Sequence, residues 1–326
     1  MPDDMTVGDQ IARLASGSDA PLAAGFWANG ASEKTAMPHA ALDARFEIGS
    51  VTKLFTGTLF AMMVEAGDVD PEAPVDDVTG CRLAWADRAP TLMELATHQS
   101  GLPNTAGALW WREAVVALGW SVKDPWRGVD ADNYRSMLAV AARKARAGRR
   151  ARYSSMGIGL LGDALAAAGG TAFDRLLAER LLIPLGMHRT GFDRPGEEPD
   201  VVTVGVNRKG RKVPYLRDHM PAAGMLASTV DDLIRFLRAA LGDGPEAVVA
   251  GIRRAQTPVQ KFGDIDIGCC WLVADNERGR VAFHNGGTWG SQAHLSVAHD
   301  RMRGAVLLSG THRDLDSIGG KFVDRP

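Results

Sequence analysis

The chain has 326 residues, 45% of them hydrophobic and 23% charged, with a formal net charge of −2. That length can bury a large core, and so small a charge gives no global attraction to nucleic acid or to a membrane surface. The opening Met-Pro-Asp-Asp-Met-Thr has neither a basic region nor an apolar run, and no stretch reaches the ~18 apolar residues of a membrane span, so the expected location is the cytoplasm. Cys81 and the adjacent Cys269 and Cys270 lack C-x-x-C spacing, and no H-E-x-x-H occurs, which points to neither a disulfide framework nor a metal site.

In chain order, Val51–Ala66 reads as a helix with Val51, Leu54, Phe55, Thr58, Leu59, Met62 and Met63 on one buried face. Gly67-Asp-Val-Asp-Pro71 ends it, and Thr91–His98 reads as a short helix stopped by Ser100-Gly-Leu-Pro103. From Asn104 to Asp132 the pattern is irregular and holds Trp110, Trp111, Trp120 and Trp126. Helices are then expected at about 133–147, 156–168 and 171–183. Short strand-like runs follow at Thr203–Asn207, Ile265–Val273, Val281–His284, Ala293–Ala298 and Ala305–Ser309, the last three spaced for an antiparallel meander. Thr229–Leu241 is helical in pattern, with Ser228 as its expected N-cap. The expected organisation is one α+β domain: a sheet lobe of about 1–66 plus 203–326, and an inserted helical lobe of about 67–202.

Ser50-Val-Thr-Lys53 is the first candidate site. A serine at a helix N-terminus sits where free N–H groups favour a developing oxyanion, and residues i and i+3 share a helix face, so Lys53 can reach the Ser50 hydroxyl. An ammonium among Leu54, Phe55 and Met62 is poorly solvated, the setting in which a lysine serves as a base. The competing reading is a capping serine followed by a snorkelling lysine.

Tyr153-Ser-Ser155 is the second candidate, preceded by Arg143, Lys144, Arg146, Arg149, Arg150 and Arg152. Such a run is either a solvated basic face or an attractor for an anionic substrate. His284-Asn-Gly-Gly287 is the third, where two glycines allow a backbone N–H to approach a ligand closely and His284 offers a switchable donor. A hairpin turn with a structural histidine is the alternative there. Gly157-Ile-Gly-Leu-Leu-Gly162 matches G-x-G-x-x-G in form, but no buried strand precedes it, so it reads as a closely packed helix rather than a nucleotide cradle. No G-x-S-x-G occurs either.

Taken in this order, the three motifs resemble those of the serine β-lactamase and penicillin-binding-protein superfamily, in particular its class C β-lactamase-like branch of esterases, D-amino-acid peptidases and transacylases. The flanks agree: Phe46-Glu-Ile-Gly-Ser-Val-Thr-Lys-Leu-Phe-Thr, Thr91-Leu-Met-Glu-Leu-Ala-Thr-His-Gln-Ser-Gly-Leu-Pro103, Pro184-Leu-Gly-Met187 and Ala223-Gly-Met-Leu-Ala-Ser-Thr-Val-Asp-Asp-Leu233 look like family landmarks. The resemblance implies a β-lactamase/transpeptidase-like fold, an antiparallel sheet flanked by helices. It also implies acyl transfer through a covalent acyl-enzyme, with Ser50 as nucleophile, Lys53 and Tyr153 sharing the proton work, and the N–H groups of Ser50 and Gly287 as oxyanion hole. It implies no metal and no organic cofactor.

Two departures bear on the substrate. The family's Tyr-x-Asn is here Tyr153-Ser-Ser155, and its Lys-Thr-Gly is His284-Asn285-Gly286, which replaces a fixed cation by a histidine. Both suit an esterase, amidase or peptidase better than a penicillinase. Ser155, His284, Asn285 and Gly286 are the expected substrate contacts, with Trp289, Trp110 and Trp111 as an aromatic wall or lid. The expected activity is hydrolysis of a small-molecule ester or amide. A cytoplasmic transacylase using the same site is the nearest alternative, and a β-lactamase or a non-catalytic binding module lies further off.

Overall fold

A computed structural model of the protein describes residues 7–17, 19–37, 42, 44–193, 205–207 and 209–325. Its strands are β1 Leu22–Ala28, β2 Ala31–Met37, β3 Phe46–Glu47, β4 Gly191–Phe192, β5 Leu226–Ser228, β6 Gln260–Phe262, β7 Ile265–Ile267, β8 Leu272–Asn276, β9 Gly279–Gly287, β10 Gln292–Ala298 and β11 Arg303–Ser309. Eight of them form an antiparallel sheet in the order β2-β1-β11-β10-β9-β8-β7-β6. The first and last strands in the chain, β1 and β11, therefore pair near one edge of the sheet, with Leu22 opposite Ser309 and Ala28 opposite Arg303.

Side chains on the central strands alternate between two apolar layers, as the twofold strand period requires. Leu22, Ala24, Phe26, Ala305 and Leu307 pack with Ile11 and Leu315 of the terminal helices Val7–Ala15 and Leu315–Val323. Ala23, Val306 and Leu308 face the larger core, which contains the helix Thr52–Glu65 and the helices Val230–Ala240 and Glu246–Ala255. In that core Phe55 stacks on Phe236 at 4.3 Å between ring centroids, and Phe236 lies 6.0 Å from Trp271. Among the described residues, the regular structure between β3 and β5 is helical apart from the two-residue β4, so the fold is the expected antiparallel sheet flanked by helices.

Several elements differ from their sequence reading. The helix Thr52–Glu65 is buried on every side from Thr52 to Ala61, so it has no solvent face. Ile265–Val273 is two strands, because the chain turns at Gly268–Trp271 with Cys270 at φ +61°. Within the irregular segment Asn104–Asp132 a helix forms at Trp110–Ala117. The cap of the helix Val230–Ala240 is Thr229, whose hydroxyl accepts the Asp232 N–H, whereas the Ser228 hydroxyl bonds Thr190. Thr203 and Val204 of the proposed strand Thr203–Asn207 lie outside the described residues; Val206 makes an isolated bridge with Lys212. The hairpin of β1 and β2 has no counterpart in the sequence reading.

The buried helix is fitted closely to the 268–271 turn. A Cβ on Gly57 would stand 2.0 Å from the Cys269 carbonyl oxygen, and that turn is itself fixed by Cys269 N–H on Ala255 O at 2.8 Å and Cys270 N–H on Ala96 O at 2.9 Å. Gly57→Ala is therefore expected to lower stability by about 1–3 kcal/mol despite alanine's better helix propensity. Urea unfolding midpoints of the two proteins check this.

Candidate active site

Ser50 lies in a tight 3₁₀ turn, Gly49–Val51, that leads directly into the helix Thr52–Glu65. The turn is positioned from both sides. Ile48 N–H donates to Leu226 O at 3.0 Å, and the Thr52 hydroxyl accepts Leu226 N–H at 3.2 Å, so β5 holds the chain before and after Ser50. No side-chain cap bond forms at this helix start. The Ser50 hydroxyl is instead the partner of Lys53, whose Nζ stands 3.0 Å away.

Lys53 is fully buried. Its Nζ donates to the Ala223 carbonyl at 2.6 Å and approaches Ser155 Oγ at 3.2 Å. Asn104 Oδ1 accepts Ser155 N–H at 3.3 Å, which identifies that atom as the amide oxygen, and it also accepts the Ser155 hydroxyl proton at 2.8 Å. Ser155 Oγ is therefore an acceptor toward Lys53. The Ala223 carbonyl can only accept. A neutral Lys53 amine would spend both N–H groups on those two oxygens, leaving its lone pair for the Ser50 hydroxyl proton. As an ammonium it would donate to all three.

Tyr153 presents its ring to the same group, with the Lys53 Nζ 4.9 Å from the ring centroid. It precedes the helix Ser155–Gly169, whose cap is Ser154: the Ser154 hydroxyl accepts Gly157 N–H at 2.8 Å and donates to Pro103 O at 3.1 Å. The glycines of Gly157-Ile-Gly-Leu-Leu-Gly162 lie inside this helix, and Cβ atoms on Gly159 and Gly162 would meet Met220 and Ala222. That stripe is a packing surface that brings Ala223 to Lys53.

The β9 end of the sheet closes the other side. A Cβ on Gly286 would lie 2.0 Å from Ile48 O and 3.0 Å from Ser50 N, and one on Gly49 would lie 2.7 Å from Gly287 N. Gly49 also has φ +50°. Only glycines allow the backbone of Gly286–Gly287 to lie this close to that of Gly49–Ser50. Glu47 ties the same two segments together: its carboxyl accepts Leu216 N–H and bonds the Thr288 hydroxyl at 3.0 Å. Burial pushes the Glu47 carboxyl up to about 7, against the opposing effect of those two hydrogen bonds.

Two histidines flank Tyr153, His98 at 4.7 Å and His284 at 6.1 Å between ring centroids. Both are buried. Burial first, and the Lys53 charge second, hold His284 down at about 3 and His98 well below its usual range, so both are neutral at pH 7. His284 Nδ1–H donates to Asn285 O, which leaves Nε2 as an acceptor without a partner among the described residues. His98 Nδ1 accepts Ser154 N–H at 3.3 Å, which puts its proton on Nε2.

The structure thus gathers Ser50, Lys53, Tyr153, Ser155, His284, Gly286 and Gly287. Asn285 does not join them: by strand alternation its side chain lies on the opposite face, where it donates to Asp316 at 2.8 Å. Trp289 is half-buried and packs against the main core. Trp110 and Trp111 stand 58% and 57% exposed, edge to face with each other, and do not close over the site. Asn104, Glu47 and Gly49 were missed by the sequence reading, although Asn104 directly follows the Ser100-Gly-Leu-Pro103 segment and the other two flank Ile48 just before Ser50.

The chain matches the family model described as Beta-lactamase over residues 11–317. It is 33% identical over 156 residues to D-alanyl-D-alanine-carboxypeptidase/endopeptidase AmpH of Escherichia coli (strain K12), covering 46% of this chain and 37% of that protein. To Penicillin-binding protein 4 of Amycolatopsis lactamdurans it is 27% identical over 292 residues, 82% of this chain and 72% of that one. Its fold matches a solved class C beta-lactamase with a TM-score of 0.82 at 18% identity, over 97% of this chain and 94% of that one. It also matches the D-alanine carboxypeptidase AmpC from Burkholderia cenocepacia with a TM-score of 0.81 at 19% identity, over 97% of each chain.

The buried Glu47 carboxyl makes stability depend on pH. Between about 4.5 and about 7 the unfolded chain loses this proton while the folded chain keeps it, so the contribution of Glu47 to stability falls as pH rises through that window. Glu47→Gln keeps an acceptor for Leu216 N–H, sets an amide against the Thr288 hydroxyl that the carboxyl accepted, and cannot ionise. Its unfolding free energy is expected to fall less than the wild type's between pH 5 and pH 8, as read from urea unfolding at about those two values.

Proposed function

The chain belongs to the Beta-lactamase family, and from that premise we propose that it is a serine hydrolase acting on an ester or amide through a covalent acyl-enzyme at Ser50. The observation that carries this reading is the bonding of Lys53, whose two fixed acceptors, Ala223 O and Ser155 Oγ, leave the third position of Nζ for the Ser50 hydroxyl.

In this reading Ser50 Oγ attacks the carbonyl carbon as its proton passes to Lys53 Nζ. The oxyanion of the tetrahedral intermediate is received by the N–H groups of Ser50 and Gly287, which the glycine contacts bring together. The carbonyl carbon–leaving group bond then breaks, and the departing group takes a proton from Lys53 directly or through Tyr153. Water follows the same route in reverse order, releasing the acid and restoring Ser50. A neutral His284 offers a hydrogen-bond acceptor rather than a fixed positive charge, which argues against strong reliance on a substrate carboxylate at that position. Transfer to an amine or alcohol would use the same acyl-enzyme. Hydrolysis is preferred because the exposed Trp110 and Trp111 leave no aromatic cover to exclude water.

Intact-mass spectrometry after exposure to p-nitrophenyl acetate, a penicillin and a fluorophosphonate is expected to show one adduct per wild-type chain and none on Ser50→Ala. Lys53→Met is expected to lower kcat/KM for the best donor by about 10²–10⁴. A conjugate in place of free acid when amines or alcohols are added would move the reading to acyl transfer. Unchanged labelling of Ser50→Ala would refute it.

A further inference from the structure

The basic run before Tyr153 is exposed, as a solvated face would be, but it lies in a loop rather than on a helix. The helix Ala131–Ala142 ends at Arg143, and the chain then lies along the 98–104 segment. Gly148 N–H donates to Gln99 O at 3.0 Å, Arg152 N–H to His98 O at 2.8 Å, and a Cβ on Gly101 would stand 2.5 Å from Arg146 N. Lys144, Arg146, Arg149, Arg150 and Arg152 consequently line one cleft of about 1000 Å³. The cleft reaches Tyr153 and Asn104, the residues that border Lys53 and Ser155.

Of the cations in it, Arg146 has a carboxylate near it, Asp87. None of the five forms an ion pair among the described residues. Glu94 takes the Arg88 guanidinium, and Asp87 faces Arg146 without forming an ion pair while accepting the Arg88 backbone N–H at 2.8 Å. Like charges held on one wall repel, and an anion placed among them relieves that repulsion. The remaining wall is apolar, with Leu102, Met137 and Val140, the last 56% exposed. A ligand that fits both walls has an apolar portion and a multiply charged end.

We propose that this cleft is a subsite for a polyanionic handle, phosphate-bearing above all, carried on the leaving group of an ester or thioester whose carbonyl lies at Ser50. Arginine forks bind phosphate oxygens in pairs and hold the handle while the carbonyl is attacked. The balance is that of an ordinary acylation: the Ser50 Oγ–carbon bond forms, the carbon–sulfur or carbon–oxygen bond breaks, and the thiol or alcohol leaves with the handle and the proton held by Lys53. The inference rests on the reading of Ser50 as nucleophile, and its test separates the two.

Butyryl thioesters of coenzyme A, of mercaptosuccinate and of N-acetylcysteamine carry phosphates, carboxylates and no charge respectively. At low salt kcat/KM for the coenzyme A ester is expected to exceed that for the N-acetylcysteamine ester by about tenfold or more. That ratio should fall toward one in about 0.5 M NaCl, and in the triple variant Arg146→Ala, Arg149→Ala, Arg150→Ala. Calorimetry should show coenzyme A binding to Ser50→Ala and not to Ser50→Ala combined with the triple change. Preference for the mercaptosuccinate ester would keep the polyanion subsite and assign it to carboxylates. Equal kcat/KM for all three esters, with Ser50 acylated by each, overturns the subsite and leaves the nucleophile standing. Failure of every ester to acylate Ser50 overturns the catalytic reading, and the calorimetry then judges the subsite alone.

Discussion

The structure around the site depends on a buried lysine with every hydrogen-bonding position occupied. An amine or ammonium taken wholly out of water is costly unless its polar valences are met, and Lys53 meets them with three oxygens from three parts of the chain. Ser50 is one turn away on the same helix, Ser155 opens the helix Ser155–Gly169, and Ala223 lies on the short turn Pro221–Gly224. Thr56 strengthens the last of these by donating to Ala222 O at 2.7 Å. Losing any of the three oxygens would leave a buried polar position of Lys53 unpaired, so the constraint that stabilises the lysine also sets the geometry of the candidate nucleophile.

A second constraint acts through the backbone. The end of β9 lies so close to the Gly49–Ser50 turn that Cβ atoms at Gly49 or Gly286 would overlap main-chain atoms. The Glu47–Thr288 bond spans the same seam, 241 residues apart in the chain. Side chains there would hold the two backbones apart. Their absence is what brings the backbones of Ser50 and Gly287 close together, as the proposed oxyanion hole requires before the reaction starts.

The electrostatics of the two sides differ. On the β9 side His284 is neutral at pH 7 because burial outweighs its hydrogen bond. On the Tyr153 side five unpaired cations border the cleft. In the proposed reading, these cations draw the negative end of a substrate toward the Tyr153 side.

Much of this was legible in the sequence, for a local reason. The Ser50–Lys53 spacing, the helix Thr52–Glu65, the cap-and-turn text of 91–103 and the β9–β11 meander are set by neighbours a few residues apart, and periodicity reports such relations directly. What needed the tertiary structure was whatever depends on contacts across the chain. Whether Ser50 caps its helix or faces Lys53 was decided by β5, which holds the turn from outside. Asn104 reaches Ser155 across 51 residues, and Asn285 faces Asp316 because strand alternation, fixed by pairing with β10, turns it away from His284. The basic run is as exposed as its composition suggested. It became a cleft wall because its backbone is bonded to His98 and Gln99, partners some fifty residues earlier that no local pattern identifies.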